Sequence, residues 1–271
     1  MSEKLPIIAT LQEAGQLVVR NRGDLLRVGL VFILGFFIVG AIVINALVPL
    51  CPPLTMSETP GTYEAPMDPR LPAGMLLTLV IEFLLFAVFS VGWHRVILLG
   101  ARHAERGLGV QLGRRELRYF GRLWLCFAAS FAIAFVVAFI EQFIGLGTGA
   151  DPQALMRGAE VSYILASAYV FARLGPSFAA VSIDLPLSLK QSWAVTKGNG
   201  LRILAVYLLV AAGWVALNLL LGRLANLLGL GESAPYTLLL VGALALCALL
   251  ALMVSVNAIV YRRFATSKAL V

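Results

Sequence analysis

The chain has 271 residues, of which 60% are apolar and only 13% charged, with a formal net charge of +7. Soluble domains carry about a quarter charged residues, so this composition excludes a soluble enzyme and leaves no polar block large enough for a second domain. Residues 1–271 read as one integral membrane domain.

In chain order, the first signal is "TLQEAGQLVVRNRG", starting at Thr10. Thr10 and Glu13 have capping-box spacing, and Leu11, Ala14, Leu17 and Val18 form one stripe, which predicts an amphipathic interfacial helix over about 10–21. The first apolar run, 28–50, follows this lead and has no small-residue cleavage site after it, so it reads as a retained span. Leu50 is also not the small residue a lipoprotein signal needs before a cysteine such as Cys51. Further spans fall at about 73–99, 123–146, 161–183, 203–221 and 237–261, each near the ~20 residues that cross ~30 Å of hydrocarbon.

"LGRRELRYFG", from Leu112, is a looser amphipathic lead to the third span. Between the fourth and fifth spans lies "LPLSLKQSWAVTKGNG". Its Ser188 and Gln191 make an S-x-x-Q capping box and Gly198 a stop, which predicts a second interfacial helix over about 188–197. The two main leads are similar enough to raise a repeat of interfacial helix plus hairpin, or simply the common form of a hairpin connection. The expected class is all-α: a polytopic membrane protein with six transmembrane helices and short cytoplasmic amphipathic interfacial helices.

Charge sets the threading. Of the 21 lysines and arginines, all but Arg70, Arg157 and Arg223 fall at one side of this arrangement, so the positive-inside rule puts both termini in the cytoplasm. The expected location is a bacterial cytoplasmic (inner) membrane. Topology accounts for the basic charge, and nucleic acid is not expected as a partner; membrane lipids are, with a protein partner or a second copy as further candidates.

The segment "RLGPSFAAVSIDLPLSLKQSWAVTKGN", with Ser188, Ser192, Trp193, Thr196, Lys197 and Gly198, resembles the membrane domain of bacterial glycerophosphoryl diester phosphodiesterases and related uncharacterised six-span bacterial membrane proteins. "GWHRVILLG", from Gly92 to Gly100, is similar to the same group. The resemblance covers about a third of the chain and the membrane portion alone. It implies an accessory membrane domain; the phosphodiesterase catalytic domain has no counterpart here, so its activity is not implied.

No HExxH, GxSxG, Walker or GxGxxG pattern is present. Cys51, Cys126 and Cys247 are scattered without CxxC spacing. No enzymatic activity, cofactor or metal is expected. Trp93, His94 and Arg95, with Trp193 and Lys197, read as interfacial anchors. "GLGTG", from Gly145 to Gly149, reads as an outer turn. Glu141 sits close to the outer surface and reads as a solvated carboxylate. Glu82 and Arg173 lie deeper, where a lone charge is expensive. Thr78, Glu82 and Ser90 share a face of the second span, and Ser162, Tyr169, Arg173 and Ser177 one of the fourth. These faces predict a polar pocket or ion pair of Glu82 and Arg173 with Thr78 and Tyr169, serving either to fix helix register or to hold a lipid headgroup or small anionic solute. Ala243, Cys247, Ala251 and Ser255 form a small-residue ridge, for packing within the bundle or at a dimer contact.

Two functions follow. The first is a non-enzymatic integral membrane protein that binds lipid or a protein partner at the cytoplasmic face. The alternative is a small transporter or lipid-translocating permease that uses a polar pocket between the second and fourth spans.

Overall fold

The computed structural model describes residues 4–50, 68, 70–100, 112–148, 151–230 and 234–265. Cys51, Glu58, Glu64, Arg102, His103, Arg106, Gly149 and Lys268 lie outside the described residues.

Eight α-helices account for the ordered structure of the described residues, which contain no strand: α1 (Ile7–Arg20), α2 (Arg22–Ile42), α3 (Arg70–Leu99), α4 (Arg114–Thr148), α5 (Pro152–Ser182), α6 (Leu189–Val195), α7 (Gly200–Leu227) and α8 (Pro235–Phe264). α2 continues into a wide π-helical turn, Val43–Leu47, and a tight turn, Val48–Leu50. Six of the helices, α2 to α5, α7 and α8, are long and apolar enough to cross a membrane. The molecule is an all-α polytopic membrane protein.

Local chemistry sets the helix ends. Asp151 accepts from the Gln153 amide at 3.1 Å and Pro152 occupies the first turn of α5, where its missing N–H costs nothing. Ser188 and Gln191 close the expected capping box at the start of α6. The box expected of Thr10 and Glu13 does not form. Pro6, with its fixed φ, starts α1 three residues earlier; the Thr10 hydroxyl turns back to the Pro6 carbonyl at 2.7 Å, and Glu13 instead reaches Arg262 and Arg263 on α8 at 2.9 and 3.2 Å. The lead "LGRRELRYFG" is not a separate interfacial helix: from Arg114 it forms the first turns of α4. Gly145 to Thr148 are likewise helical, and Gly145 lies at a close crossing with Leu155 of α5.

The least apolar spanning helix, α5, is also the most buried. A helix shielded from lipid can carry more polar groups, because its neighbours satisfy them. α4 and α3 pack against one side of α5 through Ala87, Val91, Tyr119, Leu123, Val170 and Leu174. α1, α7 and α8 meet its other side around Leu5, Ala172, Val206 and Ile259. A third cluster joins α2, α3 and α8. There the small-residue ridge is internal: Ala243, Cys247, Ala251 and Ser255 are all buried, and a Cβ added to Gly29 would lie 2.7 Å from the Cys247 Sγ.

One end of the bundle gathers the basic residues. There the Leu5 amide donates to the Asn199 side chain at 2.8 Å and Arg202 to the Leu5 carbonyl at 3.1 Å, while Glu13 ties α1 to the end of α8. The N-terminal helix, the ends of α3, α5 and α8, the starts of α4 and α7, and α6 therefore share this basic end.

Candidate functional site

Pro176 lies inside α5 and has no N–H, so the Ala172 carbonyl loses its usual donor. Around this break the helix takes side chains and side-chain partners. The Arg173 carbonyl accepts the hydroxyls of Ser192 at 3.1 Å and Thr196 at 3.3 Å, both from the α6 segment. The Ser177 carbonyl accepts from Arg122 of α4 at 2.6 Å. The "SxxxT" spacing on α6 thus puts two hydroxyls on one face, one turn apart, against α5.

The Arg173 side chain completes the joint. It is 7% exposed, and its guanidinium stacks 4.4 Å from the centre of the Trp193 ring. One nitrogen donates to the Trp193 carbonyl and another to the Tyr169 hydroxyl at 3.4 Å, while its Nε is buried with no partner. Tyr169 and Trp193 meet edge to face at 5.8 Å. A Cβ on Gly200 would sit 2.7 Å from the Arg173 Cδ, so only glycine lets α7 begin this close. Among the described residues, the polar contacts to this cation are neutral. Lys190 on α6 and Lys197 in the turn that follows are exposed, and Trp193 is 42% exposed.

Arg173 and Tyr169 come together as expected, and so do Thr78 and Glu82, but the two pairs are apart. Glu82 and Thr78 line a crevice against the π turn of α2, and Glu82 makes no ion pair with Arg173. Depth is the reason. α3 and α5 both start at the end opposite the basic one; Glu82 lies 12 residues past Arg70 and Arg173 21 past Pro152. The nine-residue offset is ~14 Å of helix. The α3 residues that pack beside Val170 and Leu174 are Ala87 and Val91, more than a turn beyond Glu82.

The anchors also divide. Trp93 is fully buried, donating its indole N–H to the Ala251 carbonyl at 2.9 Å and to the Ser255 hydroxyl at 3.1 Å across to α8. His94 is fully buried as well, with Nδ1 2.8 Å from the Ser90 carbonyl. Neither faces lipid: helix packing claims both rings. Arg95 is half-exposed and reaches the Ser182 carbonyl at 3.4 Å. Glu141 is tied to α5 by the Ser162 hydroxyl at 2.8 Å rather than left to solvent.

Two features escaped the sequence reading. Asp184, with φ 58°, forms the turn from α5 to α6, and Arg115 places both Nε and a terminal nitrogen on one of its oxygens at 2.9 and 2.7 Å. The bound Arg115 holds this carboxyl below the usual range, with Arg118 and Arg95 adding to the effect. The other is a cavity of about 220 Å³ inside the bundle, on the face of α5 away from Arg173, lined by Ser167, Phe171, Tyr207, Met253 and Asn257 among others. Neither a general acid–base pair nor an activated nucleophile emerges from these contacts. Among the described residues, no three His, Cys, Asp or Glu side chains converge as a metal site requires.

The chain matches no family model, no curated protein and no solved structure.

Proposed function

We propose that this integral membrane protein is non-enzymatic, sits in a bacterial cytoplasmic membrane with both termini inside, and binds anionic phospholipid headgroups at its basic end. The observation that carries the reading is the α6 platform. Ser192 fastens a short helix to the broken region of α5, and Lys190, the partly exposed Trp193 and, in the turn that follows, Lys197 stay open to the surroundings. An amphipathic surface of this kind suits the headgroup layer, where each basic residue near anionic lipid gains about 1 kcal/mol. The Arg173 charge beneath it, met only by neutral groups, adds to the same field. The alternative, a permease working through a shared Glu82–Arg173 pocket, loses its support from the ~14 Å axial offset.

Native mass spectrometry of protein released from mixed micelles would test the reading. Phosphatidylglycerol should be retained in preference to phosphatidylcholine, and the double variant Lys190→Gln/Lys197→Gln should lose most of that preference. Equal retention of both lipids by the native chain would refute it.

A further inference from the structure

We propose that the crevice between α2 and α3, near the end opposite the basic one, binds a lipophilic organic cation, with Glu82 as its counter-charge. The crevice has a volume of about 450 Å³, within the range of roughly 300–1,000 Å³ of small-molecule sites. Leu71, Met75, Thr78, Leu79 and Glu82 recur at helical spacing along one face of α3 and form its long wall. The opposite wall is the π turn of α2, with Val43 and Leu47. Such a turn widens the helix locally and is frequent at functional sites. The wall runs ~16 Å, from Leu71 to Glu82 near the middle of α3.

Polarity sets the ligand. Among the lining residues only Thr78 and Glu82 are polar, and they lie one turn apart. Glu82 has no hydrogen-bond or ion-pair partner among the described residues, whereas Glu141 of α4 is held by Ser162. A carboxylate without a partner in an apolar wall favours whatever brings a positive charge. A bare metal ion does not suit: Ca²⁺ and Mg²⁺ need about six oxygen ligands, and this wall offers two side chains. An anion is repelled. A cation that carries its own apolar shell, a quaternary onium or a protonated hydrophobic amine, satisfies both the charge and the walls. This site is separate from the α6 platform and stands whether or not that platform binds lipid.

Equilibrium dialysis of the full chain in neutral maltoside detergent, with radiolabelled tetraphenylphosphonium, tests it. The native protein should bind saturably at one site per chain, and neutral triphenylphosphine oxide should not compete. Glu82→Gln should weaken binding at least tenfold. Leu79→Trp, which fills the crevice and leaves the charge, should weaken it comparably and carries the test if Glu82→Gln does not fold. No saturable binding by the native chain, equal competition by the neutral oxide, or native affinity in either folded variant overturns the proposal.

Discussion

The Ser192 hydroxyl donates to the Arg173 carbonyl at 3.1 Å, so the residue that supplies the buried cation of the basic end also supplies, through its backbone, the dock for α6. Thr196 approaches the same oxygen at 3.3 Å, but its one proton has nearer acceptors in the carbonyls of Ser192 at 2.9 Å and Trp193 at 3.2 Å. Ser192 is therefore the stronger tie. Losing one such bond costs about 1 kcal/mol, more when an acceptor stays buried and unmet. Ser192→Ala should release α6 more than Thr196→Val does, read as faster amide hydrogen exchange across 189–195 with α7 unchanged. Equal protection in both variants would contradict this hierarchy.

Because Glu82 and Arg173 are separated, their substitutions should act independently. Arg173→Gln removes the stack on Trp193 and the bonds to Tyr169 and the Trp193 carbonyl, and it should lower thermal stability by itself. Glu82→Gln touches a different cavity. The double variant should equal the sum within about 0.5 kcal/mol, as for sites with no shared partner. Rescue of either single variant by the other would restore the ion pair that the sequence had led us to expect.

Trp93 offers a test of core against interface. Its indole N–H serves the Ala251 carbonyl and the Ser255 hydroxyl. Trp93→Phe keeps most of the apolar bulk and removes this donor, while the Ser255 hydroxyl still serves the Ala251 carbonyl at 2.7 Å, so the cost should be about 0.5–1.5 kcal/mol in folded stability. In a variant that retains only Trp93, the fluorescence should resist both aqueous and lipid-borne quenchers, since the ring is fully buried where α2, α3 and α8 meet. Strong quenching by headgroup-depth probes would return it to the interface.

The spans were legible because long apolar runs answer to one requirement, the thickness of the hydrocarbon. All six expected intervals correspond to helices that could cross it. The start of α6 was legible because Ser188 and Gln191 need only each other. Thr10 and Glu13 show the same spacing, yet Pro6 upstream and Arg262 and Arg263, far off in sequence, compete for them and win. Depth was misread for a related reason. α5 starts at Pro152, well before the expected span that begins near Val161, and measured from the expected span starts, 73 and 161, Arg173 falls too close in depth to Glu82. Trp93, His94 and Arg95 read together as an interfacial cluster, although Phe89, Trp93 and Val96 recur at helical spacing and pack into one core.

The turn between α5 and α6 gives a pH prediction. Asp184 holds Arg115 through two bonds and adopts φ 58°, a conformation that asparagine and aspartate tolerate better than most residues. Arg115 lowers its folded-state pKa beneath the unfolded value, ordinarily about 3.9. The sign follows from linkage: the unfolded chain binds the proton more readily, so the stabilisation is present above the unfolded pKa and disappears as pH falls through the lower folded value. Neutral to mildly acidic conditions should therefore leave the clamp intact, and its loss should come only below the ordinary carboxylate range. Its size should be modest, because the Asp184 side chain is 46% exposed and water screens the pair. Asp184→Asn keeps the backbone turn and removes the charge. The native chain should be the more stable of the two at pH 6, and the two melting curves should converge as the pH is lowered past the native carboxyl's titration; a gap unchanged across that interval would show that the charge on Asp184 contributes nothing to the joint.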